Sequence, residues 1–366
     1  MTATTDQTWT TNTTLEELAA WLGDQRAVVL LTHLKPDGDA MGSTLAIARA
    51  LNLASGTSGA ASVAECWYQG PMPGWAQPMS APTKARVIEA GQNVPGALEP
   101  SAVLVCDTGT WNQLGDYADW VRERREITAV LDHHLQGNPE MGPRRHLATD
   151  CAAVCQPAAE LCRLILGLDS IGDLPLEVAE PLYTGIATDT GWFRHSNVTA
   201  DVMETAGKLL RAGVDHGKLF ESVQFRDRAP RLGLMARALT SLSLERSETV
   251  AVMSLTAADF KETGAAPGDS GGFVDLPQSV PSVRVVALLT EQEDGEGVLT
   301  KFSLRSKAGE WNGREPVDVN EVCQRLGGGG HARAAGARVR AGLAEARAKL
   351  LETLEAYESE RDGATA

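Results

Sequence analysis

Four places in this chain carry side chains suited to divalent metal ions. His33-Leu-Lys-Pro-Asp37-Gly-Asp39 joins an imidazole to two carboxylates, and Asp107 stands alone before Thr108-Gly109. Asp132-His133-His134 sets two imidazoles after a carboxylate, and Asp189 lies within Thr184-Gly-Ile-Ala-Thr-Asp-Thr-Gly191. Hard divalent cations take carboxylate oxygen, and imidazole shifts preference towards manganese, iron or zinc over calcium and magnesium. Two Asp separated by one Gly can address two neighbouring ions from one loop. The expected centre therefore holds more than one ion, with Asp107 suited to bridging and Asp132 suited to holding a ligand histidine in one tautomer. Each carboxylate also has a plainer reading. Asp37, Asp107 and Asp189 suit helix caps or turn residues, and only the adjacent histidines are hard to explain as packing.

A second set suits an anionic ligand. Gly42 and Ser43 open a helix whose N-terminus favours anions. Arg194, His195 and Asn197 follow Asp189 closely. Further on, Gly327-Gly328-Gly329-Gly330-His331 offers backbone amides able to cradle an oxyanion, and Arg305 and Ser306 add a guanidinium and a hydroxyl.

The metal-binding strings need elements that bring them together. VVLLTH at 28–33, AVLVCD at 102–107 and ITAVLDHH at 127–134 are short apolar runs ending in Asp or His. Such runs read as buried strands that deliver ligands at their carboxyl ends, where open α/β sheets build sites. Thr13 or Thr14 with Glu16 or Glu17 makes a capping box for a first helix. Helices are expected over Met41–Ala54, Gly115–Arg125, 151–168 and Glu177–Asp189, and the stretch 199–245 reads as wholly helical. The fold class expected is α/β, a mainly parallel sheet with helices on both faces, then a helical linker and a smaller mixed α/β C-terminal domain. The boundaries expected are a loose tail at 1–12, a catalytic domain at 13–222, the linker at 223–246, a substrate-binding domain at 247–358 and a frayed tail at 359–366.

Composition narrows the function. The 366 residues are 43% hydrophobic and 22% charged, with a net charge of −15. That charge argues against a protein that coats long duplex nucleic acid, while leaving room for a small anionic ligand met by metals and a few arginines. No stretch approaches the roughly 20 apolar residues of a membrane helix. The first fourteen residues are polar throughout, and the six cysteines lack metal-site spacing, so a cytoplasmic protein with reduced thiols is expected.

Taken in order, HLKPDGDAMGS, Asp107, Asp132-His133-His134 and Asp189 resemble the four metal-binding motifs of the DHH phosphoesterases. GGGGHARAAG resembles the glycine-rich motif of the associated C-terminal domain, and the layout is most similar to the stand-alone bacterial nanoRNA phosphodiesterases. The resemblance implies hydrolysis of very short oligonucleotides to mononucleotides, with 3′-phosphoadenosine 5′-phosphate as a further substrate. It implies one ion on His33, Asp37 and Asp107, and a second on Asp39, Asp107, His133 and Asp189. Manganese is the ion implied first, with magnesium or cobalt as substitutes. His134 would stand near the scissile phosphate, and Arg305 and His331 near substrate phosphates. With no membrane segment in the sequence, no membrane partner is expected, and a homodimer is left open. His195 and the stretch 67–82 depart from the pattern. The rival readings are a cyclic or linear dinucleotide phosphodiesterase and a catalytically silent nucleotide-binding regulator.

Overall fold

The computed structural model describes residues 8–56, 63–81, 83, 85–89, 91–92, 99–225, 227–295, 297–310 and 315–364. The chain divides into two units, Met1–Arg226 and Asp227–Ala366.

The first unit contains α1 (Leu15–Gly23), β1 (Val28–Leu31), α2 (Gly38–Ala54), β2 (Ala64–Gln69), α3 (Ala76–Ser80), β3 (Ala85–Ile88), β4 (Ala102–Cys106), α4 (Ala118–Arg122), β5 (Thr128–Asp132), β6 (Arg144–Leu147), α5 (Cys155–Ile165), α6 (Leu176–Asp189), α7 (Ala200–Arg211) and α8 (His216–Gln224). Its six strands are all parallel, in the order β3-β2-β1-β4-β5-β6. Strand order reverses between β1 and β4, so the crevice at their carboxyl ends is the topological switch point where ligands bind in such sheets. Alternate residues feed two cores. Val28, Leu30, Leu104, Cys106 and Leu131 pack under α1, α2, α5, α6 and α7. Val29, Leu31, Val103, Val105 and Val130 pack with Trp67, Tyr117, Val121 and Met141 on the other face. Burial on both faces is why these strands read as unbroken apolar runs.

Local signals set the helix starts. Thr14 Oγ1 accepts the Glu17 amide while the Glu17 carboxylate accepts the Thr14 amide, a complete capping box. Asp37 caps α2, its Oδ1 accepting the amides of Asp39 and Ala40 at 3.1 Å each. This helix therefore begins a turn before the Met41 expected, and Asp39 lies inside it. The expected helix at 115–125 is instead a 3-10 segment, Trp111–Tyr117, followed by the short α4; Gly115 at φ 56° breaks the path.

The second unit contains α9 (Ala229–Thr240), β7 (Ser243–Glu245), β8 (Val250–Leu255), α10 (Ala257–Thr263), β9 (Val285–Asp294), β10 (Gly297–Ser306), α11 (Val319–Arg325), β11 (Gly329–His331), β12 (Ala334–Val339) and α12 (Leu343–Ala364). The sheet order is β11-β12-β10-β9-β8-β7, antiparallel except for β8 with β9. One face carries α11 and α12, and the other carries Leu234 and Ala238 of α9 with Phe273 and Val274.

Three expectations are corrected. The 199–245 stretch is not one helical run, because Gly213 at φ 103° and the Asp215 cap break it and Ser243–Glu245 is a strand. The linker expected over 223–246 is largely built into the second unit, where α9 buries Leu234 and Ala238. Within the two expected tails, the described residues 8–12 and 359–364 are ordered. Asn12 and Thr13 both donate amide hydrogen bonds to Arg145 O, and α12 continues past residue 358, where Glu360 pairs with Arg325 at 2.8 Å. Residues 1–7 lie outside the described residues.

Candidate metal centre

The loop after β1 is held by backbone hydrogen bonds from Leu34 N to Gln113 O and from Lys35 N to Gln69 O. His33 engages Leu34 O through Nδ1 at 3.0 Å. Its Nε2 is left facing Asp107 Oδ2 at 3.5 Å and Asp37 Oδ1 at 3.8 Å. Asp39 is completely buried, and the N-terminus of α5 receives its carboxylate: Val154 N donates to Oδ2 at 2.6 Å and Cys155 N to Oδ1 at 2.9 Å. Both donors sit at the positive end of the helix dipole.

Asp107 follows β4 with φ 61°, a left-handed conformation, and donates its amide to Leu131 O of the neighbouring β5. Among the described residues its buried Oδ1 finds no hydrogen-bond donor, and it stands 3.3 Å from His133 Nε2. His133 uses Nδ1 on Cys151 O at 3.2 Å, and its Nε2 also lies 3.9 Å from both Asp39 Oδ2 and Asp189 Oδ2. Asp132 is fully buried. Its Oδ1 accepts the amides of His133 and His134 and meets His134 Nδ1 at 2.8 Å. The His134 side chain is 46% exposed, open to a ligand while its ring is fixed.

Asp189 arrives on the last turn of α6, which lies close against α2 because both helices use glycine at the crossing. A Cβ at Gly42 would overlap Pro181 O, and one at Gly185 would overlap Cys155 Sγ and press on Asp39. Beyond Asp189 the backbone is strained, with Trp192 and Phe193 at φ 57° and 61°. Lys35, between His33 and Asp37, is left-handed too. Non-glycine residues rarely hold such angles, so Lys35 and Asp107, each at or beside a candidate ligand, mark turns whose geometry the rest of the fold enforces.

Among the described residues, three groups have potential ligand atoms within 4.8 Å of one another: His33 with Asp37 and Asp107; Asp39 with His133 and Asp189; and Asp107 with His133 and His134. The electrostatics of this centre favour positive charge. Burial and the Asp107 and Asp189 carboxylates push the Asp39 carboxyl up. Burial, with Asp107 and Asp37, raises Asp189 to about 6. Burial opposes a charged ring at His33 and His133, but the surrounding carboxylates outweigh it and raise both to about 10. His134 is raised chiefly by its contact with Asp132. An orphaned buried Asp107 oxygen among mutually repelling carboxylates and fixed imidazoles suits divalent cations.

The remaining expected residues lie elsewhere. Arg194 is exposed on the loop after Asp189 and donates Nε–H to Gly191 O at 2.8 Å. Arg305, Ser306, Gly328, Gly329, Gly330 and His331 belong to the second unit. Arg305 Nε pairs with Asp275 Oδ1 at 3.3 Å, and Ser306 Oγ donates to Ala332 O. His331 is exposed on β11. The glycine run differs from the expected anion cradle, since Gly328 N donates to Cys323 O and Gly330 N to Asn320 Oδ1. Cβ atoms at Gly328 and Gly330 would overlap the β12 backbone, so close strand packing demands these glycines. Sequence reasoning missed the α5 amides, Cys151 O and Trp9, whose Nε1 donates to His134 O.

The pattern of the DHH family N-terminal domain matches residues 27–186, and that of the DHHA1 domain matches residues 247–360. This chain belongs to the DHH family. The string for which the family is named is Asp132-His133-His134. A relative from Thermus thermophilus, the bifunctional oligoribonuclease and PAP phosphatase NrnA, is 29% identical over 335 residues, 89% of each chain. The Bacillus subtilis protein of the same name is 24% identical over 244 residues, 66% of this chain and 71% of that one. An exopolyphosphatase-related protein from Bacteroides fragilis shares the fold, with a TM-score of 0.77 at 23% identity over 94% of this chain and 96% of the other.

Proposed function

We propose that this protein is a two-metal phosphodiesterase that hydrolyses very short oligonucleotides to mononucleotides and also removes the 3′-phosphate of 3′-phosphoadenosine 5′-phosphate. The observation that carries the reading is the meeting of two ligand sets at Asp107, whose oxygens face His33 on one side and His133 on the other. The names of the Thermus and Bacillus relatives support the choice of substrates. His33, Asp37 and Asp107 would hold one divalent ion, and Asp39, Asp107, His133 and Asp189 the other, with manganese preferred over magnesium or cobalt. Bound there, such ions supply Lewis acidity that lowers the pKa of water and offsets charge on phosphoryl oxygens.

The chain's own residues do the rest. Leu34 O and Cys151 O fix the ring orientations of His33 and His133, leaving each Nε2 for an ion. The α5 amides fix Asp39. Asp132 holds His134 so that its outer nitrogen can protonate the leaving 3′-oxygen. Arg194, and in the second unit Arg305, Ser306 and His331, are the side chains proposed to bind substrate phosphates. Among the described residues no helix is long and apolar enough to cross a membrane, and the enzyme proposed is cytoplasmic.

The test is a substrate panel with Mn2+: pApA, 3′-phosphoadenosine 5′-phosphate, cyclic di-AMP and pyrophosphate. Turnover of the first two is expected. Pyrophosphate alone turning over would sink the nucleotide reading, and no turnover at all would favour a binding module.

A further inference from the structure

A segment before the first helix reaches the metal centre. Residues 8–13 run beside β6, the edge strand. Thr11 Oγ1 donates to Leu147 O and accepts Leu147 N, while Asn12 donates its amide to Arg145 O and accepts Arg145 N on Oδ1. Asn12 Nδ2 also reaches Pro143 O, and His146 Nδ1 meets Thr13 O. This strap carries Trp9 to the crevice, where the indole Nε1 donates to His134 O at 3.1 Å. A Cβ at Gly109 would overlap the indole ring, and so would one at Gly137. The ring is therefore inserted between the turn after Asp107 and the turn after His134. Asn138 N donates to Gly109 O and ties the same two turns together from the backbone side.

We propose that Trp9 is a positioning residue for the metal centre, setting the spacing between the strand end that carries Asp107 and the one that carries His133 and His134. The inference rests on the two-ion reading above. Its physical basis is that an inserted rigid ring fixes two loops more tightly than one hydrogen bond does, because packed side chains leave little room for drift. Asp107 itself sits at a strained φ, so its carboxylate direction depends on what surrounds the turn. Gly109 and Gly137 are then required because they leave room for the ring.

The test uses the full chain and three variants, Trp9→Ala, Trp9→Phe and Gly137→Ala. Mn2+ affinity is read by competition with a chelator, beside kcat and KM on pApA and the thermal midpoint of the metal-free protein. Trp9→Ala and Gly137→Ala should each weaken Mn2+ binding by about tenfold and lower kcat with little change in KM, the range seen when outer-shell partners of a metal ligand are removed. Trp9→Phe keeps an inserted aromatic ring but loses the N–H donor and part of the indole's bulk, so it should recover part of that affinity. Where Trp9→Ala does not fold, Gly137→Ala and Trp9→Phe carry the comparison. Wild-type Mn2+ affinity and kcat in folded Trp9→Ala or Gly137→Ala would overturn the proposal and leave the two-ion reading standing. A wild-type protein that binds no Mn2+ would instead overturn the reading beneath it.

Discussion

Asp107 is the residue at which the two proposed ligand sets meet. It is buried, left-handed and flanked by two imidazoles, with one carboxylate oxygen that finds no hydrogen-bond donor among the described residues. Asp107→Ala should reduce hydrolysis of pApA by more than the about 100-fold that losing an outer-shell partner costs, because it removes a ligand from both proposed ions. Near-normal hydrolysis by that variant would refute the shared bridge. The histidines give a pH prediction. Without metal, His33 and His133 sit at about 10, above their ordinary 6.5, and are protonated at pH 7. Raised values mean that the protonated pairs stabilise the metal-free fold fully below about pH 6.5, and this contribution is lost as pH rises through 10. Asp189, raised to about 6, has the same sign over a lower window. Metal binding must displace these protons, so calorimetry in buffers of different ionisation enthalpy should show proton release near pH 7, and affinity should rise with pH. The six proposed metal ligands were legible because each is a metal-binding side chain within one of four short strings, three of them at the end of an apolar run. The α5 amides and Cys151 O were not, because backbone groups have no residue-type signature. Trp9 was not, because it lies 125 positions from the residue it contacts.

At the scale of elements, the site depends on two events: strand ends meeting at the reversal of sheet order, and α2 lying close to α6. The first was visible in the sequence, since β1, β4 and β5 are apolar runs that stop at ligands. The outer strands were not. β6 reads Arg-Arg-His-Leu and is only partly buried, so it lacks the signal of a central strand, and β3 is similarly mixed. The glycine run looked like an anion cradle because composition does not reveal which amides are already bonded. The helix crossing was visible only as small residues near Asp189, and its energetic content can be measured. Gly185→Ala should cost about 1–3 kcal/mol in chemical denaturation, as overpacking of a filled interior does. It should also weaken Mn2+ binding, because the new Cβ presses on Cys155 and Asp39. Unchanged stability and affinity would mean that the crossing is looser than described.

For the whole molecule, a net charge of −15 and a local anionic substrate are reconciled by confining positive charge to one centre. Only a few phosphates need be met. Raising salt from 50 to 200 mM should therefore weaken binding of a dinucleotide by less than about tenfold, against about 10³ or more for proteins that neutralise six or more phosphates. A steep salt dependence would point to a broad nucleic-acid track outside the centre. The division into an α/β unit and a smaller mixed unit was legible from the alternation of elements. The place of α9 was not, because an amphipathic helix between domains has the same pattern whichever core it joins. The central claim is that one chain holds two ions sharing Asp107. Electron paramagnetic resonance of the wild-type protein titrated with Mn2+ tests it most directly. Two equivalents bound per chain, with the spectrum of a spin-coupled pair, are expected; a single equivalent, or two uncoupled ions, would overturn the shared Asp107 bridge.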